Sequence, residues 1–411
     1  MPKERSPITR RKALAVGLSA ATGSVVLPRR WFMEPVESTE TVERTAWPME
    51  RHDPARTGYT QADGPTEKPA VAWQTTVGDD HSFRGLVCSS EQVYLSTYDK
   101  LLAVDAETGE PQWQTNRLGT LPWTDGLHPW NDGTLSIQAP PALSNDRLFI
   151  VSGTTRTVLY AIDPADGSPL WGYETNFSPD ETLVTDTTVY FSSLGDEPLV
   201  AVDATAGLER WKTEAGTGVH PQAYAQGYVV GPVLGRDGQF GAVEASSGSV
   251  EWTRDIDNSD LSRGPCITND TVYCGTGTLH ALNVDDGSIR WRRTVVESDT
   301  DLRPVSDGPT VYLALGGHDQ VLALDGQTGD VQWRKQIHGL LGGRTATLTD
   351  ETLYVVLEHG VVALDKVTGN ERFRVQVGED HVSTSITASV LAGSTLYIVL
   401  DQTLYAFTDQ S

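Results

Sequence analysis

An eleven-residue segment recurs seven times in this chain of 411 residues and constrains its fold more than any other feature. Every copy begins with alanine, has an acidic or amide residue third and a glycine seventh, and ends in an aromatic residue. The copies occupy residues 103–113, 161–171, 201–211, 242–252, 281–291, 323–333 and 363–373. Self-similarity at a fixed spacing is the mark of a repeat architecture, so the chain is expected to be one array of similar units.

The spacing of the repeat predicts the type of array. Successive terminal aromatic residues lie 39 to 42 residues apart, except for one step of 58, when the series is begun at Trp73. The segments before each copy are β-branched and aromatic runs broken by turn residues, such as TVYLALGGHDQVLALD at 310–325, with no helical periodicity. A period near 40 with four short strands per unit is typical of a β-propeller blade.

The residue types of the motif suit a turn that joins two blades. The glycine takes the positive φ of a tight turn, and the third residue accepts hydrogen bonds from the N–H groups of that turn. The final aromatic ring is then free to dock against the next blade and to bury about 150–250 Å², about 4–6 kcal/mol gross. The predicted docking residues are Trp73, Trp113, Trp171, Trp211, Trp252, Trp291, Trp333 and Phe373.

The two ends of the repeat array predict how the ring closes. An eighth unit begins at residues 394–409 but ends without the glycine turn and the aromatic residue. The segment AVAWQTT at 70–76 resembles an outer strand and has no motif before it. We therefore predict an all-β, eight-bladed propeller of four-stranded antiparallel blades in which strand 71–76 completes the last blade and removes a free edge.

The motif resembles that of the pyrroloquinoline-quinone (PQQ)-like propellers, whose tryptophan-docking motif is A-x-D-x-x-T-G-x-x-x-W. Ala103, Asp105, Thr108, Gly109 and Trp113 match it residue by residue. The resemblance extends over about residues 46–411, including AWPMERHDPARTGY at 46–59, which is similar to the lead-in before the first blade of such propellers. It implies either a quinoprotein dehydrogenase or a non-enzymatic factor of the BamB-like branch.

The copies of the motif depart from the family pattern at three positions. Glu244 and Asn283 replace the aspartate, and Phe373 replaces the tryptophan.

The resemblance also indicates what a dehydrogenase would need. Quinoprotein dehydrogenases of this family are expected to hold PQQ with Ca²⁺, an aspartate base and typically two adjacent cysteines. Cys88, Cys266 and Cys274 are not adjacent, and only the step of 58 residues has room for a long insertion. We expect no cofactor and a non-catalytic binding or assembly scaffold, with a PQQ-dependent oxidoreductase of alcohols or sugars as the alternative.

The first thirty residues resemble a twin-arginine export signal. Arg10 and Arg11 precede a weakly apolar run of fifteen residues, shorter than the ~20 that a bilayer span needs. The predicted organisation is a signal at 1–30, a linker and lead-in at 31–68, and the propeller at 69–411. The expected location is extracellular or at the cell surface, with membrane contact only through an uncleaved signal.

The charge balance limits the partners. The sequence has 55 acidic and 31 basic residues, a net charge of −24, and only seven of the basic residues are lysine. Such a surface is typical of halophilic proteins and argues against nucleic acid, because phosphate binding needs clustered cations. We expect a protein or a surface polymer as the partner.

Surplus cationic and aromatic residues mark a candidate ligand site. We call the side with the links between blades and between the two middle strands the funnel face. Each of three arginines lies nine residues before the second strand of its unit, and a fourth lies eight residues before it; they are Arg84, Arg263 and Arg344, and Arg303. They bind an anionic ligand or pair with internal acceptors. Trp123 and Trp130, in the long insertion at 116–136, either cap the channel or form a binding surface.

Two similar loops suggest a metal site on the same face. VGDDH at 77–81 and VGEDH at 377–381 belong to adjacent blades by the closure argument. Asp80, His81, Asp380 and His381 would converge on a divalent metal, or they are solvated loops that share ancestry.

Overall fold

The computed structural model describes residues 46–77, 83–118, 134–144, 146–153, 157–179, 181–193, 196–256, 264–298, 300–341, 346–377, 388–400 and 402–409. Within these ranges the chain forms eight four-stranded antiparallel sheets and one short 3₁₀ helix, Gly316–His318. No helix in the described part is long and apolar enough to cross a bilayer. The predicted all-β, eight-bladed propeller is confirmed.

The first strand of the chain, β1 (Ala70–Thr76), belongs to the last blade. Blade 1 contains β2 (Phe83–Cys88), β3 (Gln92–Thr97), β4 (Leu101–Asp105) and β5 (Pro111–Thr115). Blade 2 contains β6 (Ala142–Ser144), β7 (Arg147–Ser152), β8 (Thr157–Ile162) and β9 (Pro169–Thr175). Blade 3 contains β10 (Glu181–Val184), β11 (Thr188–Ser192), β12 (Val200–Asp203) and β13 (Glu209–Lys212). Blade 4 contains β14 (Ala223–Ala225), β15 (Tyr228–Pro232), β16 (Gln239–Glu244) and β17 (Val250–Asp255).

The remaining blades repeat this order. Blade 5 contains β18 (Cys266–Thr268), β19 (Thr271–Cys274), β20 (Thr278–Asn283) and β21 (Ile289–Thr294). Blade 6 contains β22 (Val305–Ser306), β23 (Thr310–Leu315), β24 (Gln320–Asp325) and β25 (Val331–Gln336). Blade 7 contains β26 (Thr347–Leu348), β27 (Thr352–Leu357), β28 (Gly360–Asp365) and β29 (Glu371–Gln376). Blade 8 contains β30 (Ala388–Ala392), β31 (Thr395–Leu400), β32 (Thr403–Thr408) and β1.

Burial follows the position of a strand within its blade. The middle strands are continuous buried runs, as in β27 (TLYVVL), because neighbouring blades cover both of their faces. The outermost strands alternate, so that in β25 the solvent-facing residues are exposed and the others half-buried. The core is therefore divided among the seams between blades and has no single centre.

Ring closure occurs as the sequence predicts. Strand β1 pairs antiparallel with β32, from Ala70 opposite Thr408 to Thr76 opposite Thr403. Trp73 lies opposite Ala406, and the register shifts beside this pair. The motif alanine and the motif aromatic residue face each other with the same kind of shift in the other seven blades. The strand ahead of the repeat array thus takes the geometry of the repeat.

The motif glycines lie against the aromatic residue of the preceding blade. All seven have φ between +65° and +75°, and a Cβ on any of them would come within 3.0 Å of a tryptophan ring carbon. Gly109 lies against Trp73 across the closure seam, and Gly167 lies against Trp113. The glycine is therefore required both by the left-handed turn and by the close approach of the ring.

The docking tryptophans also donate hydrogen bonds across the seams. Six Nε1–H groups donate to a turn carbonyl of the next blade at 2.7 to 3.2 Å; the pairs are Trp73–Ala106, Trp113–Pro164, Trp211–Ala245, Trp252–Val284, Trp291–Gly326 and Trp333–Lys366. Trp171 differs, since its buried Nε1 has no hydrogen-bond partner in the described part of the chain. The motif carboxylate acts within its own turn, where Asp105 accepts from the N–H groups of Glu107 and Thr108.

Candidate functional site

Residues 46–64, which we call the channel segment, contact the innermost strand region of every blade. Seven blades are joined to it by backbone hydrogen bonds of 2.6 to 3.3 Å; the pairs are Trp47–Cys88, Pro48–Leu143, Pro54–Tyr224, Ala55–Ile267, Thr57–Ser306, Thr60–Leu348 and Gly64–Gly393. Blade 3 is joined through Arg56, which bonds Glu181 and the Thr182 carbonyl. A segment with no β motif of its own therefore ties the eight blades together at the channel.

The two arginines of the channel segment are both buried and have different partners. Arg56 donates to the Gln222 and Glu50 carbonyls and forms an ion pair of 2.9 Å with Glu181. Its guanidinium charge is therefore neutralised where it is buried. Arg56 and the neighbouring Arg51 adopt positive φ values of 58° and 59°, so the chain turns sharply at both.

Arg51 reaches from the channel segment to blades 5 and 6. Its Nη1 donates to the Pro265 carbonyl at 2.9 Å, and its Nη2 donates to the Pro304 carbonyl. Both prolines directly precede innermost strands, β18 and β22, at their funnel-face ends. Burial lowers the pKa of Arg51 to about 10, and the nearby guanidinium groups of Arg56 and Arg303 act in the same direction.

Two of the four predicted arginines fall within the described residues. Arg303 is half-buried, pairs with Asp301 at 3.1 Å, and lies close to Arg51 across Gly264. Arg84 is exposed; its Nε donates to the Ile137 carbonyl at 3.1 Å, and its guanidinium carbon lies 5.5 Å from the centre of the Tyr98 ring. The structure brings Arg303 to the channel beside Arg51, and it gives no contact between Arg303 and Arg84.

The other predicted site residues lie outside the described part of the chain. These residues are Arg263, Arg344, Trp123, Trp130, Asp80, His81, Asp380 and His381. The ligand site and the metal site that they would form stay predictions. Within the described ranges, no group of three His, Cys, Asp or Glu side chains is placed to hold a metal ion.

Two histidines lie on the funnel-face side of blade 6, one in the link between its middle strands and one after its last strand. His338 Nδ1 lies 3.2 Å from Asp319 Oδ2. The other oxygen of this carboxylate, Oδ1, accepts hydrogen bonds from the backbone N–H groups of Gly339 and Leu340. The His338 contact lowers the pKa of Asp319. His318 Nε2 lies 3.3 Å from Ser298 Oγ and 3.4 Å from Thr300 Oγ1. These polar contacts fix the loops of neighbouring blades against each other.

The cysteines are free, buried thiols. Cys88, Cys266 and Cys274 are each 0% exposed. Burial raises the pKa of Cys266 and of Cys274 to about 12 and raises that of Cys88 further above its usual value. The thiols are therefore protonated at neutral pH and poor nucleophiles.

A small cleft opens beside the N-terminal part of the channel segment, on the face of the propeller that carries the motif turns. It has a volume of about 160 Å³ between the channel segment and the first strands of blades 2 and 3, with Pro48, Met49, Leu143 and Val184 among its lining residues. His52 and Asp186 lie at its polar edge. The walls are mainly apolar, and the volume matches a single small side chain or a few waters.

Sequence reasoning missed the part that the channel segment and the second-strand tyrosines play. Trp291 Nε1 and the Tyr273 hydroxyl donate to the same Gly326 carbonyl, and Trp211 and Tyr190 share the Ala245 carbonyl in the same way. The signal was present, because VY or LY recurs in the second strand of six units. No repeated pattern pointed to Arg51 and Arg56, because the channel segment that contains them occurs only once in the sequence.

The described geometry agrees with the comparison with protein families. The sequence model described as outer membrane protein assembly factor BamB matches residues 100–230, 195–337 and 236–411. The chain belongs to this family. Its copies of the BamB-family repeat overlap and together extend over blades 1 to 8. No curated protein matches the sequence significantly.

Solved structures show how widely this fold is used. BamB from Moraxella catarrhalis matches with a TM-score of 0.61 at 15% identity, over 84% of this chain and 98% of that one. Quinohemoprotein alcohol dehydrogenase from Comamonas testosteroni matches with a TM-score of 0.63 at 13% identity, over 90% and 82%. A computationally designed protein, Ika8, matches with a TM-score of 0.63 at 12% identity, over 81% and 98%. At such identities the likeness shows the fold alone.

Proposed function

We propose that this BamB-family propeller is exported and acts as a non-catalytic binding or assembly scaffold at the cell surface. The observation that carries the proposal is the channel segment, which joins all eight blades by hydrogen bonds. A scaffold has to present its loops at fixed relative positions, and a segment bonded to every blade provides this. The family description, an outer membrane protein assembly factor, supports the same role.

The chemistry of the cysteines supports a non-catalytic role. All three are buried and protonated, in blades 1 and 5, so none is available as a reactive thiolate. The partner is expected to be a protein or a surface polymer that contacts the funnel face, where Arg84 and Arg303 lie. On a chain with a net charge of −24, guanidinium groups gathered on one face would favour an acidic partner.

A PQQ-dependent oxidoreductase of alcohols or sugars is the second candidate. The likeness to the quinohemoprotein alcohol dehydrogenase fold and the arginines at the channel favour it. A calcium ion beside PQQ would need several converging carboxylate and amide oxygens, and the described ranges contain no group of three His, Cys, Asp or Glu side chains placed to hold a metal ion.

The two candidates are separated by an activity measurement. Purified protein is incubated with PQQ and Ca²⁺ and assayed with an electron-accepting dye and a panel of alcohols and sugars. The scaffold proposal expects no turnover above a control without PQQ. Turnover that depends on PQQ would overturn it.

The funnel-face partner is tested by charge reversal. A double variant, Arg263→Glu with Arg344→Glu, is expected to fold as the wild type does and to capture less partner from the native cell surface. Arg293→Glu is the control, because Arg293 pairs with Asp330 on an outer strand away from the channel. Equal capture of partner by the wild type, the double variant and the control would show that Arg263 and Arg344 do not contribute to binding.

Export is tested at the paired arginines of the leader. Replacing Arg10 and Arg11 with lysine keeps the charge and removes the twin-arginine pattern, so the protein is expected to stay inside the cell. The measurement is the fraction of the protein in the medium and at the cell surface. Unchanged export would show that another route is used.

A further inference from the structure

Arg51 is a buried cation, and some of its N–H donors have no acceptor among the described residues. The residue is 4% exposed, and it uses two of its five N–H donors, those that reach the Pro265 and Pro304 carbonyls. Its Nε is fully buried and has no hydrogen-bond partner among the described residues. Buried polar groups are almost always paired, so this N–H group requires an acceptor that the described residues do not provide.

Within the described part of the chain, the charge of Arg51 also has no ion-pair partner, unlike that of its two neighbours. Arg56 has Glu181 at 2.9 Å, and Arg303 has Asp301 at 3.1 Å. Arg51 forms no ion pair with any described carboxylate; of the nearby groups, Cys266 and Glu50 act to raise its pKa, and the two arginines act to lower it. An unpaired ion in a protein interior costs several kcal/mol, so a bound anion would be stabilised there.

Gly264, which lies two residues before β18, separates the Arg51 guanidinium from the aliphatic part of the Arg303 side chain. A Cβ at Gly264 would lie 2.9 Å from Arg51 Nη1 and 3.2 Å from Arg303 Cγ. Gly264 is absent from the residues with a positive φ, so space alone, and not the backbone conformation, requires the glycine here. A side chain at position 264 would therefore displace the Arg51 guanidinium and crowd Arg303, and we call the arrangement of these two arginines around Gly264 the cradle.

We propose that Arg51 and Arg303, held on either side of Gly264, bind a small oxyanion at the funnel-face end of the channel segment. The ligand class is a carboxylate or a phosphate, because either presents oxygen acceptors to the Arg51 Nε–H and to the outer N–H groups of Arg303. Asp301 accepts a hydrogen bond from Arg303 Nε, which leaves the Nη1 and Nη2 groups of Arg303 available to the anion. The site is independent of the scaffold role and needs no macromolecular partner.

The proposal is tested by thermal unfolding of the whole protein in sodium phosphate and, separately, in sodium malonate. Sodium chloride keeps the ionic strength constant in both series. We expect one of the two anions to raise the Tm of the wild type with a saturable dependence, since a ligand of the folded state alone stabilises it. The effective series identifies the anion as a phosphate or a carboxylate.

Three variants assign the response to the cradle. Arg51→Met is expected to abolish it, and Gly264→Ala is expected to weaken the apparent affinity about tenfold or more while keeping every charge. Arg293→Gln removes an equal charge from an outer strand and is expected to leave the response unchanged. A saturable response that persists in Arg51→Met, or a wild type that responds no more than to chloride, overturns the proposal.

A measurement on the wild type covers the case in which Arg51→Met does not fold. Crystals soaked in selenate, a phosphate-sized oxyanion, are examined for the anomalous signal of selenium. A peak within hydrogen-bonding distance of Arg51 Nε supports the site. Crystals with selenate bound elsewhere and none at Arg51 overturn it.

Discussion

At the scale of the residue, the seams between blades depend on glycines that no other residue can replace. Gly329 has φ +73°, and a Cβ added to it would lie 2.6 Å from a ring carbon of Trp291. Gly339 has a similar φ of +76°, but a Cβ there would meet nothing within 4 Å. The two positions therefore share the backbone requirement and differ only in the docking contact.

This pair gives the first prediction. Gly339→Ala is expected to lose about 1–2 kcal/mol of unfolding free energy, the cost of a left-handed alanine. Gly329→Ala is expected to lose a further ~1–3 kcal/mol, because Trp291 has to move. Urea unfolding of both variants measures the difference. Equal losses would show that the ring does not pack tightly on the turn.

A second prediction concerns the motif carboxylate in acid. A hydrogen bond from Arg372 and the N–H of Thr368 lower the pKa of Asp365 to about 2 from its usual value of 3.8. Its stabilisation is therefore present above about pH 4 and is lost as the pH falls through 2. The advantage of the wild type over Asp365→Asn should shrink in that window, as measured by urea unfolding at a series of pH values.

Blade 5 provides the reciprocal variant. Asn283 occupies the same motif position and accepts from Arg290 as Asp365 accepts from Arg372. Asn283→Asp is expected to add the acid sensitivity that Asp365→Asn removes. Identical pH profiles in the wild type and both variants would contradict the assignment.

At the scale of the element, the second and fourth strands of a blade act together on the next blade. Tyr273 in β19 and Trp291 in β21 have ring centres 5.8 Å apart and donate to one carbonyl, that of Gly326. A seam is thus formed by an aromatic pair that comes from two strands. The Gly326 carbonyl accepts one hydrogen bond through each of its two lone pairs. Removing either donor therefore leaves one lone pair without a hydrogen bond.

The third prediction follows from this pair. Tyr273→Phe keeps the ring and removes the hydroxyl, so a loss of about 0.5–1.5 kcal/mol of unfolding free energy is expected. Tyr405→Phe is the matched control, because Tyr405 stacks on Phe407 and no described residue bonds its hydroxyl. Chemical denaturation of both variants tests the difference; equal losses would show that the shared carbonyl adds nothing.

The elements that repeat could be predicted from the sequence, and the elements that occur only once could not. The glycine turns, the docking rings and the closure by strand 71–76 were predictable, because seven copies show what the eighth blade lacks. The course of the channel segment was not predictable, since its contacts come from eight blades that are distant in sequence. For the same reason the register found Arg303 but gave no sign of Arg51 beside it.

At the scale of the whole molecule, the channel segment should contribute to the stability of the entire ring. A chain of residues 66–411 retains β1 and the closure but lacks the backbone bonds to seven blades. At about 1 kcal/mol per bond, it should be less stable than a chain of residues 46–411 by at least ~5 kcal/mol. Urea unfolding of the two chains provides the measurement. Similar midpoints and slopes would show that the blades hold together without it.

The pairing of β1 with β32 also sets the order of events during synthesis. Strand β1 is translated before the other described strands and its partner β32 after them, so blade 8 is incomplete until all eight blades have been translated. Until then the chain carries two unpaired strand edges and a channel segment with no finished channel. Since such edges attract other chains, the nascent protein is exposed to misassembly while the eight blades are being translated. A circular permutant that begins at the blade 3–blade 4 junction would complete blade 8 mid-chain and shorten that exposure.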